Sequence, residues 1–109
     1  MQRVGMNQHR LNQDGLLRIS RAISDTTRYA LLEKIYFDQE ITVGELCAES
    51  TVSAAAVAHH RKILKDAGLI QVRRQGRYRL LVAQGNTWET YLDCLANLGK
   101  AAPVSATDL

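Results

Sequence analysis

The spacing of apolar residues divides the chain into four short helical stretches, a strand pair and a closing helix. Leu16, Ile19, Ser20 and Ile23 fall at i, i+3, i+4 and i+7, one face of a helix predicted over residues 13–23. Asp25 is placed to cap a second helix over residues 26–37, whose expected buried stripe is Ala30, Leu31, Ile35 and Phe37. Asp38-Gln39-Glu40 is a polar break, and Ile41 has the setting of a short strand. Thr42 and Glu45 form a capping box that starts a third helix over residues 43–50, with Val43 and Leu46 inward. Ser53 caps a fourth helix over residues 54–67, and Gly68 supplies the left-handed residue that ends it. A hairpin follows. Pairing Ile70 with Leu80 and Val72 with Tyr78 puts the apolar residues on one side. The loop is then Arg74-Gln75-Gly76, with Arg73, Arg77 and Arg79 on the other face. Asn86, boxed with Glu89, is expected to cap the final helix, which carries Trp88, Tyr91, Leu92, Leu95 and Leu98 on one stripe.

This order is mainly α with a β-hairpin. It is a short helix, a tight turn, a longer helix and a basic ribbon: a helix-turn-helix followed by a wing. Such a unit offers a helix to the major groove and lays a positive hairpin beside it. The apolar stripe of the last helix is large for a terminal element to leave in water. Leu16, Ile19, Trp88, Tyr91, Leu92 and Leu95 are therefore the expected seam of a homodimer.

Size and charge narrow the reading. A chain of 109 residues makes one domain, here residues 12–100, flanked by loose tails at 1–11 and 101–109. The net charge is only +3, but seven of the 14 Lys and Arg lie between Ser50 and Gly85 against a single acid, Asp66. The positive pole thus coincides with the helix-turn-helix and hairpin, and a phosphate backbone is the matching partner. A solvated charged face is the plain alternative. No apolar run approaches the roughly 18 residues of a membrane span, and the start lacks a hydrophobic signal core. With two cysteines in no zinc-like spacing, the expectation is a cytoplasmic protein with free thiols. No nucleophile–base–acid set or Gly-rich phosphate loop argues for an enzyme, and no cofactor is implied.

The chain resembles the ArsR/SmtB family of bacterial winged-helix repressors. The resemblance starts at Ala22-Ile23-Ser24-Asp25-Thr26-Thr27-Arg28 and continues through Val43-Gly44-Glu45-Leu46, His59-His60 and Leu64. It ends in Ala67-Gly68-Leu69-Ile70 and Arg73-Arg74-Gln75-Gly76-Arg77, and spans roughly residues 13–98. It implies a homodimer joined by the first and last helices, bound to a near-palindromic double-stranded operator and released by an inducer the sequence does not identify. The DNA-binding residues are then Ser53, Ala54, Ala55, Ala58, His59, Lys62 and Lys65 of the fourth helix and its cap, with Arg73, Arg74, Gln75, Arg77 and Arg79 of the wing.

Three departures from the family pattern matter. Ala54, Ala55, Ala56 and Ala58 stand where relatives often carry Gln, Ser or Thr, so the helix has few hydrogen bonds to offer bases. His59 and the Ser53 hydroxyl are the main polar readers, with shape readout as the complement. The alanines equally serve helix propensity, and both readings stand. The same face keeps open a different class of function, a winged helix used only to bind proteins. Arg61 replaces a core leucine; Glu45 and Glu49 are conceivable partners. The family's two metal sites lack their ligands: Thr42-Val43-Gly44-Glu45 holds no thiol, and residues 86–100 hold no histidine. Metal sensing is not expected. Cys47 reads as a core residue and Cys94 as lying near the seam; both are candidate redox residues beside that structural reading.

Overall fold

The computed structural model describes residues 11–100, so the two expected tails lie outside it except for Leu11, whose side chain packs against the core. The elements run α1 (Gln13–Ala22), α2 (Thr26–Asp38), β1 (Glu40–Thr42), α3 (Val43–Ala48), α4 (Ala54–Asp66), β2 (Ile70–Gln75), β3 (Tyr78–Ala83) and α5 (Gly85–Lys100).

Side-chain caps set most boundaries. Asn12 Oδ1 accepts from Gly15 N at 2.7 Å and starts α1. Asp25 accepts from Arg28 N and starts α2. The capping box closes in both directions, with Glu45 N donating to Thr42 Oγ1 and Thr42 N donating to Glu45 Oε1, each at 3.0 Å. A six-residue helix has little cooperativity of its own, so this box weighs heavily on α3. Thr42→Ala is expected to lower unfolding stability by about 1 kcal/mol in urea titration; an unchanged midpoint would mean that tertiary packing alone holds α3.

The sheet has the order β1-β3-β2, all antiparallel. Ile41 lies opposite Leu81, Val72 opposite Leu81 on the other side, and Ile70 opposite Ala83. These residues form the inner face. Ile19 and Ala22 of α1, Leu31, Leu32 and Ile35 of α2, Leu46 of α3, and Val57 and Leu64 of α4 complete the core with Leu69 and Tyr91. Two members of the expected α2 stripe are corrected. Ala30 is exposed and Phe37 is 85% exposed, while Leu32 takes the inner position. Phe37 lies two residues beyond the buried Ile35, about 200° around the helix, and so faces away. Gln39 then takes φ 69°, a left-handed backbone for a side-chain-bearing residue, and turns the chain from α2 into β1.

The hairpin register also differs from the expected one. Arg73 faces Leu80, Arg74 faces Arg79 and Gln75 faces Tyr78, so the loop is the two residues Gly76-Arg77. Gly76 has φ 63°, matching the glycine that a type II′ turn needs at its first loop position. The faces change accordingly. Arg74 and Arg79 share the side of Ile70 and Val72, beyond the core, whereas Arg73 lies on the side of Tyr78 and Leu80. The start of α5 moves as well. Trp88 N donates to Gln84 O, so the helix begins at Gly85, and Asn86 sits within its first turn instead of capping it.

Candidate nucleic-acid interface

The recognition unit is α3, the turn through Ser50–Ser53, and α4. Ser50 Oγ accepts from Val52 N at 2.9 Å, which tightens the turn and sets the half-buried Val52 against the core. Ser53 Oγ then accepts from Ala56 N at 3.1 Å and caps α4. Val57 and Leu64 anchor α4 inward. Ala54, Ala55, Ala58, His59, Lys62 and Lys65 are all exposed, together on the outer face where the sequence puts them. The Ser53 oxygen spends one of its two lone pairs on the cap, so its proton and the second lone pair remain to meet a base edge.

The wing presents Arg74, Gln75, Arg77 and Arg79 to solvent. Two of the basic side chains already have partners. Arg73 Nη2 lies 3.3 Å from Glu40 Oε2 across the outer face of the sheet. Lys62 Nζ lies 3.2 Å from Asp66 Oδ2, one turn along α4. Both pairs are exposed, and such pairs contribute about 0–1 kcal/mol, so a phosphate can displace either carboxylate at small cost. Arg74 and Arg79 differ, because they face each other directly across the strand pair. Like charges so placed destabilise a hairpin, and an anion between or beside them removes that penalty.

A second network ties the recognition helix to the body. Arg28 Nε donates to Ala22 O at 2.6 Å and its Nη2 to Arg21 O at 3.2 Å, both carbonyls at the end of α1. Its Nη1 lies 3.2 Å from His60 Nδ1 on α4. A guanidinium can only donate, so Nδ1 must accept and His60 must be neutral. Burial lowers the His60 pKa, with Arg28 and His59 acting in the same direction and Asp25 opposing them. A histidine held neutral by folding stabilises fully above its ordinary value near 6.5. That contribution is lost as pH falls through the depressed folded value, because the unfolded chain then binds the extra proton. Asp25, held low mainly by the Arg28 N–H it accepts, loses its contribution only at more acid pH, below the ordinary carboxylate range. His60→Gln, which keeps an acceptor for Arg28, is therefore expected to flatten the decline in thermal midpoint as pH falls below about 6.5. An identical decline in the variant would assign it to another group.

Arg61 stands beside this network without joining it. Its Nε is buried and makes no hydrogen bond among the described residues. Neither conceivable partner reaches it: Glu45 closes the capping box, and Glu49 lies 2.7 Å from Lys34 Nζ. Lys34 also pairs with Asp38, and its pKa is raised chiefly by the Glu49 carboxylate. Of this network the sequence carries a signal only for Lys34 and Asp38, one helical turn apart; the contact with Glu49, just past the end of α3, gave none.

The expected dimer seam divides in two. Ile19 is wholly buried and Tyr91 nearly so, both in the chain's own core, with Tyr91 Oη 2.9 Å from Ser20 Oγ. Trp88 is half-buried, its ring against those of Tyr36 and Tyr91. These three brace α5 from inside. Leu92 and Leu95 are 46% and 40% exposed, with Leu98 at 71%, and Leu17 of α1, which the apolar stripe had missed, at 41%. Leu16 is half-buried against the core. Cys47 and Cys94 are both free and half-buried, Cys47 packed against the core. Among the described residues no three His, Cys, Asp or Glu side chains gather to hold a metal ion, and no helix is long and apolar enough to cross a membrane.

A capped recognition helix with an exposed outer face, followed by an arginine-tipped hairpin, is the geometry of a winged helix-turn-helix. The sequence of residues 25–72, from the cap of α2 to the first strand of the wing, matches the model of the bacterial regulatory proteins of the arsR family. The HTH-type transcriptional regulator YuzN of Bacillus subtilis, itself uncharacterized, is 33% identical over 70 residues, covering 59% of this chain and 76% of YuzN. This chain belongs to the arsR family. The transcriptional repressor SdpR of Bacillus subtilis is 32% identical over 60 residues, covering 55% of this chain and 66% of SdpR. The fold is shared with the homodimeric winged helix-turn-helix DNA-binding domain of Mb0332 from Mycobacterium bovis, at a TM-score of 0.64 and 16% identity over 83% of each chain. As an arsR-family member the chain is a DNA-binding transcriptional regulator, and its relatives are regulators, not enzymes.

Proposed function

We propose that the chain acts as a cytoplasmic, homodimeric repressor that grips a near-palindromic operator with two α4 helices and two wings. One observation carries the DNA side of this reading: Arg74 and Arg79 stand directly opposed on an exposed hairpin beside the open face of α4. That arrangement costs stability in the free protein and is relieved by a phosphate chain. Lys62, Lys65 and Arg77 extend the same positive strip, while Arg73 stands on the opposite face of the hairpin, paired with Glu40. The exposed Leu92, Leu95 and Leu98 of α5 supply the second-copy surface, and the Mb0332 domain, which shares the fold, is itself homodimeric. The repressor sense follows SdpR.

The division of labour on α4 is unequal. Alanines meet only thymine methyl groups, so His59 is the side chain that reads base edges while Lys62 and Lys65 hold phosphates. Selection of bound fragments from a random DNA pool is expected to return two half-sites about 34–36 Å apart, one helical turn. His59→Ala should reduce the preference for that site over random duplex while leaving non-specific binding unchanged. Equal weakening on both would make His59 a phosphate contact, and a pool that shows no enrichment would overturn the operator reading itself.

A further inference from the structure

We propose that the hollow between α2 and α5 is an effector site for a small organic cation of the quaternary or alkylated ammonium type; this rests on the regulator reading above. The hollow encloses about 130 Å³ and is lined by Tyr29, Leu32, Glu33, Tyr36 and Trp88. Pockets for drug-sized molecules run about 300–1,000 Å³, so this one admits a headgroup and little more. Its chemistry is specific. Three of the five lining residues are aromatic, and the single charged one is a carboxylate. The Tyr36 and Trp88 rings meet edge to face, 6.4 Å apart at 65°, and present walls at different angles. Aromatic faces attract cations, most strongly where water is excluded, and quaternary ammonium groups are the ligands that such walls favour. No basic side chain lines the hollow, so an anion would meet only the repulsion of Glu33. Tyr29 and Glu33 are exposed, which leaves the mouth open to solvent.

The site is wired to the DNA-binding parts. The Tyr36 hydroxyl lies 2.6 Å from Leu69 O and 3.0 Å from Gln84 O, and Gln84 N donates to Leu69 O at 3.1 Å. Leu69 joins α4 to the wing, and Gln84 joins the wing to α5. A ligand seated on Tyr36 and Trp88 therefore touches the side chain that holds the root of the wing, and a residue of the helix offered to the second copy. It shifts DNA affinity to the extent that it binds one arrangement of these parts better than the other.

Trp88 is the chain's single tryptophan, so its fluorescence reads the hollow directly. The test titrates full-length protein with choline and, at matched ionic strength, with 3,3-dimethyl-1-butanol, which has the same shape without the charge. The expected result is a saturable change in Trp88 emission with choline and binding about tenfold weaker for the alcohol. Glu33→Gln, on an exposed position, should weaken choline several-fold and leave the alcohol unaffected. DNA affinity measured with choline at saturation should differ from that without it. No saturable response, or equal affinity for the two probes, would overturn the cation site. A saturable response with DNA affinity unchanged would overturn the effector role. The salt dependence of DNA binding without either probe tests the regulator reading separately, so the two failures are distinguishable.

Discussion

Replacing Leu92 and Leu95 together by aspartate is expected to convert a dimer to a folded monomer and to weaken operator binding by about 10²–10⁴-fold. Both side chains are already well exposed within one chain, so their loss removes little from the core. Four carboxylates facing one another across a two-fold axis would oppose association instead. The loss on DNA follows because two half-sites bound through one dimer profit from a high effective concentration that two free monomers lack. Sedimentation equilibrium and titration of operator DNA read the two effects, with the circular dichroism of the helices as the control for folding. Retained dimerisation with full affinity would place the seam elsewhere. Ile19→Ala makes the opposite case. Ile19 is fully buried, and its truncation should destabilise the chain itself by about 2–5 kcal/mol whatever the state of assembly.

Salt is the second strong lever. If each subunit neutralises several phosphates through Lys62, Lys65, Arg74, Arg77 and Arg79, affinity should fall by about 10³–10⁵ between 50 and 200 mM salt, the range for 6–10 contacts. The logarithmic slope should be linear, near 0.9 per phosphate. Arg77→Ala should weaken binding to every sequence alike and reduce the slope by roughly one unit per subunit. Arg77 is the cleanest choice for this test. It occupies the two-residue turn, faces no residue in the ladder and is exposed. An unchanged slope would take the wing tip off the DNA. Arg73 is expected to contribute less than its neighbours, because Glu40 must first be displaced.

The sequence announces those parts of the fold that depend on neighbours along the chain. Asp25, Thr42 with Glu45, Ser53 and Gly68 mark helix ends because a cap is a contact between residues three or four apart. The exposed face of α4 was legible for the same reason: Val57 and Leu64 fix its inner side, and helical geometry assigns the rest. The hairpin register was not, because Leu80-Leu81-Val82 is an unbroken apolar run that carries no parity. What selects Leu81 for the core is Ile41 of β1 on one side and Val72 of β2 on the other, and β1 lies some forty residues away. The opposition of Arg74 and Arg79 went unseen with it. Ile19 and Tyr91 read as seam residues because an apolar stripe does not tell burial within a chain from burial between chains. The hydroxyl of Tyr91 meeting Ser20 across 71 residues decides the matter, and periodicity is blind to it. Arg28 bridging the end of α1 to His60 is likewise a long-range contact between residues that look unremarkable in isolation.

The strand order has a consequence for handling and for evolution. With β3 in the centre, β2 leaves one edge of the sheet unpaired over six residues among the described residues. An open edge of that length is a template for another strand, and proteins commonly blunt it with charge. Arg73 and Arg74 stand on this edge, and Arg77 follows at the turn. The side chains that grip a phosphate backbone thus also act as gatekeepers against aggregation. Selection for weaker DNA binding cannot simply erase them. Variants that neutralise several at once should precipitate at concentrations where the parent stays clear, and glutamate, which keeps the edge charged but repels phosphate, is the substitution that separates the two duties.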